Sequence, residues 1–319
     1  MIREPIISVL GHVDHGKTTF LDKIRGTALA EREAGRITQH IGATEVPIET
    51  IKELSGSLMA RFGFSLNIPG LLFIDTPGHE AFTNLRKRGG SIADLAVLIV
   101  DLTQGFQNQT IEAIEILRSY KTPFIVGATK IDRLKEWNSK EGSFLENLKN
   151  QSSGAEHELD EKVYALVTSL FKYGFESERI DRCEDFTKQV PIVPVSSISG
   201  EGIPEILMLL AGLSQKFLKK ELEVSEKEEM KGTVLEVKEE KGFGATADVI
   251  LYHGQIRTGN DIVLGGKNGI IKTKVRALLK PMPLEEMRDT KKKFVKVKEA
   301  IAACGVKIAA PGLDEALAG

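Results

Sequence analysis

The chain has 319 residues, 41% of them hydrophobic, and a formal net charge of -2. That length predicts two domains with ordinary packed cores, and the charge balance excludes a globally basic nucleic-acid binder while leaving local patches open. Cys183 and Cys304 are the only cysteines, which excludes a disulfide framework and a Cys-rich zinc site and fits a reducing compartment.

The N-terminus runs almost directly into an apolar segment, Pro5–Leu10, so no signal peptide is expected. No apolar run is long enough to span a bilayer, and a soluble, cytoplasmic, membrane-free and monomeric protein is expected. Pro5–Leu10 predicts a strand, and Thr18–Arg25 predicts a helix. Between them lies Gly11-His12-Val13-Asp14-His15-Gly16-Lys17-Thr18, which fits the phosphate-loop pattern G-x-x-x-x-G-K-[ST] in full. The two glycines let the backbone turn its N–H groups inward, and the helix start adds its positive dipole end. Lys17 then reaches the outer phosphates and Thr18 ligates Mg²⁺. Asp14, His15, Gly16, Lys17, Thr18 and Thr19 are the candidate phosphate-binding residues.

Further apolar runs follow at Leu71–Ile74, Leu95–Val100, Phe124–Val126 and Ile192–Val195. Continuous runs of this kind read as buried parallel strands. Helical patterns at Gln109–Tyr120 and Ile203–Leu222 alternate with them. The expected fold is therefore α/β, a mostly parallel sheet covered by helices, with ligands bound outside the carboxyl ends of the strands. Polar motifs stand at those ends. Asp75-Thr76-Pro77-Gly78-His79 closes the second run; a carboxylate there suits Mg²⁺ through water, and Gly78 lets a backbone N–H approach a terminal phosphate. Thr129-Lys130-Ile131-Asp132 closes the fourth. The Asp132 carboxylate matches the N1–H and exocyclic amine of guanine, a donor pair that adenine lacks, and the Lys130 stem can cover the base. Ser196-Ser197-Ile198 follows the last strand and supports the base from the other side.

Residues 133–190 interrupt the alternation and predict a mostly helical insertion, with a turn at Asn150–Gly154 and a helix over Glu156–Phe171. A charged stretch, Leu218–Lys231, reads as a helix end and linker. Beyond it, Gly232–Lys238, Ala245–Tyr252, Asp261–Leu264 and Gly269–Leu278 alternate like half-buried strands between Gly/Asn/Asp turns. Such spacing predicts a small antiparallel β-barrel. The expected boundaries are 1–222 for the nucleotide-binding domain, 223–231 for the linker and 232–319 for the barrel. Lys280, Arg288, Lys291, Lys292 and Lys293 form the best basic patch, which reads as a solvated loop.

These motifs resemble those of the translational GTPases, whose phosphate loop typically reads Gly-His-Val-Asp-His-Gly-Lys-Thr and whose second switch opens Asp-Thr-Pro-Gly-His, as at 11–18 and 75–79. Within them, Arg36–Ala43, Asp75–Phe82 and the long insertion are similar to the archaeal and eukaryotic initiation factors of the five-B type, counterparts of bacterial initiation factor two. The resemblance covers the whole chain as a G domain and a second domain. It implies a GTPase of translation initiation that binds GTP and GDP with Mg²⁺, hydrolyses GTP slowly by itself and faster on the ribosome, and drives joining of the small and large subunits. It also implies two further domains beyond Gly319, the last binding initiator tRNA. By the same resemblance Thr38 is the first-switch threonine on Mg²⁺, with Thr44 as a lower-ranked rival. Gly78 and His79 act on the attacking water, and Val13 and Ile37 flank it. Asp14, a carboxylate in the phosphate loop, must turn away or meet a monovalent cation, K⁺ or Na⁺. Two positions depart from the usual pattern: Thr129 stands where Asn is usual, which predicts a weaker tie to the phosphate loop, and Arg36 stands where Gly is common. Rival readings are a GTPase of elongation-factor type, a guanine-nucleotide-dependent binding module with negligible hydrolysis, and a phosphate-loop ATPase, against which Asp132 argues.

Overall fold

A computed structural model describes residues 2–30, 42–63, 66–74, 93–218, 222–223, 229–240, 242–281 and 294–318. The first strand, β1 (Ile6–Gly11), is buried along its whole length and takes parallel partners on both sides, β3 (Gly70–Ile74) and β4 (Leu95–Asp101). Outward from β4 lie β5 (Phe124–Thr129), β7 (Val190–Val195) and β6 (Ser177–Arg179), all parallel. On the other edge β2 (Ala43–Pro47) runs antiparallel to β3. The order is β2-β3-β1-β4-β5-β7-β6. Strands sealed on both faces need no alternation, which is why their sequences read as unbroken apolar runs. Because β1 sits between two later strands, the chain leaves the sheet in opposite directions at its carboxyl end, and that divergence opens a crevice.

Six helices belong to this unit among the described residues: α1 (Lys17–Ala30), α2 (Ile48–Phe62), α3 (Asn108–Tyr120), α4 (Phe144–Leu148), α5 (Ser153–Lys172) and α6 (Ile203–Phe217). Every residue of α6 from Ile203 to Ser214 is buried, against α2 and strands β3, β5 and β7. A helix apolar on all sides has to lie in a core. It stops at Phe217, five residues before the predicted end at Leu222. No described helix is long and apolar enough to cross a membrane.

The stretch 133–190 carries α4 and α5, with turns between them, and it also supplies β6, an edge strand the sequence did not reveal. The predicted turn at Asn150–Gly154 ends early: Ser152 caps α5 by accepting the Ala155 N–H, so Ser153 and Gly154 are already helical.

The second unit is antiparallel throughout. A five-stranded sheet runs β14-β13-β16-β9-β8, built from β8 (Lys231–Glu240), β9 (Gly244–His253), β13 (Ala277–Pro281), β14 (Phe294–Val297) and β16 (Cys304–Ala309). The hairpin β11 (Asp261–Gly266) and β12 (Gly269–Lys274) and the pair β10 (Gln255–Arg257) and β15 (Glu299–Ile301) complete it. All three sheets feed one core through Ile256, Ile262, Leu278, Ala300 and Val306. The single strand predicted over Gly269–Leu278 is two. Val275 turns its side chain into the core and exchanges backbone bonds with Gly259 and Asn260, and Arg276 then donates to Ala309 in β16, so the chain changes sheet there.

A third apolar cluster joins the units: Ile6, Ala43, Leu72 and Ile74 meet Ile250, Leu235, Tyr252 and Ala303. Beside it a cavity of about 70 Å³ is lined by Ala43, Glu45, Leu72, Lys280 and Cys304.

Candidate functional site

The phosphate loop leaves β1 at Gly11, where φ is +137° and a Cβ would lie 2.2 Å from the Ile99 carbonyl oxygen. Only glycine fits that approach. Val13–His15 form one 3-10 turn, and Gly16 at φ +88° redirects the chain into α1. The first N–H groups of α1 have no partner within the helix and face the loop with the positive end of its dipole. The Lys17 ammonium lies across the loop, donating to the carbonyls of Gly11 (2.5 Å) and His12 (3.1 Å). Thr18 and Thr19 are exposed, and the Thr18 hydroxyl has no hydrogen bond among the described residues. Asp14 is exposed on the turn. His15, by contrast, is fully buried, with its ring edge-on to His12 at 5.1 Å. Burial pushes the imidazole below its ordinary range against the pull of Asp101, so His15 serves this loop through its backbone and not as a cation.

The Thr129–Asp132 loop is bolted to the loop after β1 at two points. The Thr129 hydroxyl donates to the His15 carbonyl at 2.8 Å, and the Lys130 ammonium donates to the Asp14 carbonyl at 2.9 Å. The tie that the Asn-to-Thr departure threatened is therefore present, made by a hydroxyl on a side chain that is itself buried. Lys130 is held by a second group, Asp101, whose Oδ2 lies 2.6 Å from the ammonium. Burial pushes Asp101 up, but hydrogen bonds from Lys130 and Thr103 outweigh it and hold the carboxyl below its ordinary range. Lys130 adopts φ +66°, and the 3-10 turn Ile131–Arg133 that follows presents Asp132, half-buried and without a partner among the described residues.

Across the crevice, Ser196 is buried and its Oγ accepts the N–H groups of Ile198 (3.3 Å) and Ser199 (3.1 Å), which curls the third loop. Ser197 is half-buried and Ile198 is exposed. The carboxyl ends of β1, β5 and β7 thus bring Asp14–Thr19, Thr129–Asp132 and Ser196–Ile198 to one edge of the sheet.

Thr38, Asp75, Gly78 and His79 lie outside the described residues, as do Arg36 and Ile37. Thr44, the rival to Thr38, is fully buried in β2 with its hydroxyl accepting from Arg25 Nε at 2.8 Å. Among the described residues no group of three or more His, Cys, Asp or Glu is arranged to hold a metal ion. Two residues here escape motif reading. Gln109, near the start of α3, accepts the Val13 N–H at 2.9 Å, and Asp101 anchors Lys130. Each lies far in sequence from its partner; the only local signal was a carboxylate at a strand end, the same signal that marks Asp75.

The sequence matches the family described as "Elongation factor Tu GTP binding domain" over residues 3–216. The chain belongs to that family. It is 57% identical over 319 residues to the "Probable translation initiation factor IF-2" of Methanopyrus kandleri and 58% identical to that of Thermococcus onnurineus, in each case covering 100% of this chain and 53% of the relative. The chain spans about half the length of the curated relatives it matches. Among solved structures, GDP-bound aIF5B from Aeropyrum pernix superposes with a TM-score of 0.94 at 49% identity, covering 100% of this chain and 53% of that one. The elongation factor SelB of Methanococcus maripaludis shares the fold at a TM-score of 0.60, with 23% identity, over 98% of this chain and 53% of that one. The GTP-binding family thus covers the crevice and its three loops, and the antiparallel unit lies beyond the matched residues.

Proposed function

We propose that this chain is the guanine-nucleotide-binding part of a translation initiation GTPase of the five-B type. Residues 1–222 form the nucleotide-binding unit, 223–231 the linker and 232–319 the unit that contacts the small ribosomal subunit. The protein works in the cytoplasm, binds GTP, and hydrolyses it slowly alone and faster on the ribosome, which drives subunit joining and release of the factor. Initiator tRNA binds through domains beyond this chain. The observation that carries the nucleotide reading is the double bolt from Thr129 and Lys130 to the backbone of His15 and Asp14, which sets a guanine-reading carboxylate at a fixed distance from a phosphate cradle. The match to initiation factors over the whole of this chain carries the translational reading.

Each residue has a physical task. Loop N–H groups and the Lys17 ammonium neutralise the β- and γ-phosphates. Asp132 accepts from N1–H and the exocyclic amine of guanine, and loss of that pair leaves a buried polar group unpaired, so adenine is refused. Ser196, Ser197 and Ile198 close the other side of the base. The exposed hydroxyl of Thr18, without a partner among the described residues, would hold a Mg²⁺ together with Thr38 and, through water, Asp75; the ion would supply charge neutralisation at the γ-phosphate. Gly78 and His79 act on the water. The sequence motifs mark no arginine for the developing charge, so a partner supplies the stimulation. A K⁺ or Na⁺ ion offsets the Asp14 carboxylate; equal single-turnover rates in K⁺ and in tetramethylammonium would rule that ion out.

The deciding experiment titrates GTP, GDP, ATP and XTP into the wild type and Asp132→Asn. The expected result is GTP and GDP binding in the wild type with a switch of preference to XTP in the variant. Tight ATP binding, or an unchanged preference, overturns the guanine reading.

A further inference from the structure

Behind the third loop stands a buried carboxylate that the nucleotide motifs do not account for. Glu201 is fully buried, and its backbone carbonyl accepts the Ser196 N–H at 3.0 Å. Its side chain points away from the crevice into the insertion. Oε2 accepts from Trp137 Nε1 (3.1 Å) and Ser139 Oγ (2.6 Å), and Oε1 accepts from Asn147 Nδ2 (2.7 Å). Ser139 Oγ also lies 2.8 Å from Ser199 Oγ, which accepts the Glu201 N–H at 3.2 Å. One turn on, Glu205 is equally buried and accepts from Ser143 Oγ (2.5 Å) and the Leu145 N–H (3.1 Å). Gly202 donates to the Gly142 carbonyl between them.

All the side-chain donors to Glu201 belong to the insertion. A carboxylate in a core is tolerated only when donors satisfy it, and removing them leaves a costly buried charge. The conformation of Ser196–Glu201 is therefore specified by residues 137–148 as well as by its own turn. The same segment also touches α1, where Glu141 pairs with Lys23 at 3.1 Å.

We infer that the insertion is the positioning element of the base site, with Glu201 and its donors Trp137, Ser139 and Asn147 holding the Ser196–Ser199 turn in the shape that walls guanine. This rests on the base-side reading of that turn given above. It has an optical consequence. Trp137 is the only tryptophan in the chain and donates directly to Glu201, so its emission reports a movement of the turn.

The test uses the 319-residue chain with GDP as the probe. It measures GDP affinity, the melting temperature without nucleotide, and Trp137 emission for the wild type, Ser139→Ala, Ser139→Thr, Glu201→Gln and Asp132→Asn. Ser139→Ala is expected to weaken GDP by about tenfold, the usual worth of a hydrogen bond to a charged group; its nucleotide-free melting temperature falls because Glu201 loses a donor, but the protein stays fully folded at the assay temperature, and Ser139→Thr restores both. The nucleotide-free emission of Ser139→Ala should differ from that of the wild type, because the shared acceptor of Trp137 and Ser139 is disturbed. If Asp132→Asn leaves GDP affinity intact, the base-site reading itself fails. If Asp132→Asn loses GDP while Ser139→Ala and Glu201→Gln bind it like the wild type, or Ser139→Ala leaves the nucleotide-free Trp137 emission unchanged, the insertion has no positioning role. A GDP loss fully accounted for by the fraction unfolded at the assay temperature also overturns it. Should Glu201→Gln fail to fold, Ser139→Ala and Ser139→Thr decide alone.

Discussion

Lys130 carries two loads, and they separate by mutation. Its ammonium neutralises the fully buried Asp101 and ties the base loop to the Asp14 carbonyl. Lys130→Ala strands the Asp101 carboxylate in the core, which costs about 3–5 kcal/mol. Asp101→Asn in the same chain removes the stranded charge. We expect urea unfolding to show most of the stability returned in the double variant, while guanine-nucleotide affinity, which needs the tie to Asp14, stays low in both. A double variant as unstable as the single one would mean that Asp101 is satisfied by Thr103 alone. The phosphate loop was legible to the residue because its chemistry is local: two glycines, a lysine and a threonine at fixed offsets. Thr129 was legible as a departure but its consequence was not. Sequence counts a missing amide, whereas the structure shows that the hydroxyl alone spans the 2.8 Å to His15. Gln109 and Asp101 were not legible because each partner lies tens of residues away and no period links them.

At the scale of elements, strands buried on both faces declared themselves as apolar runs, and β1, β3, β4, β5 and β7 all fall where such runs are. Elements held by charge did not. Three residues long, β6 has Arg179 as its fixing side chain, buried and donating to Asp160 of α5 (2.5 Å) and to both oxygens of Asp181. No apolar pattern betrays a strand of that kind. The helix α2 was legible in principle, since Ile48, Ile51, Leu58 and Met59 recur at helical spacing and are buried. Ser55-Gly56-Ser57 in its middle mimics a turn and masks the period. The role of Arg179 has a measurable consequence. Arg179→Ala should cost about 2 kcal/mol, because Arg182 still pairs with Asp160 and both aspartates are partly exposed. Hydrogen exchange should then quicken in β6 and along α5, and stay slow in β5 and α6. Uniform quickening would show that β6 is integral to the main core and not an appended edge.

At the scale of the whole molecule, the two units meet over a carboxyl pair. Glu4 is buried over Gly70, whose Cβ, if it had one, would lie 3.0 Å from Glu4 Oε1. Glu45 of β2 faces it, and Lys280 of β13 approaches from the second unit. Burial first, then the charge of Glu45 and a hydrogen bond with it, push the Glu4 carboxyl up to about 9, with Lys280 opposing. The sign of the pH effect follows. Between the ordinary carboxylate value near 4.5 and about 9, folded Glu4 keeps a proton that the unfolded chain has released. The native state binds more protons there, so stability falls as pH rises through that window. Glu4→Gln presents the amide in place of the protonated acid and binds no proton in either state. Its stability relative to the wild type should therefore climb from pH 5 to pH 9, read as urea midpoints on the same buffer series. A difference that stays flat across that range would mean that Glu4 is ionised in the fold and that Lys280 holds it. The direction matters for more than stability. β2 is the strand onto which the segment after α1 returns, and Glu45 is its third residue. The proton on Glu4 thus lies beside β2, where the second unit leans against the sheet. Loss of that proton puts two like charges on one seam, and the repulsion acts on β2 from the side of the second unit.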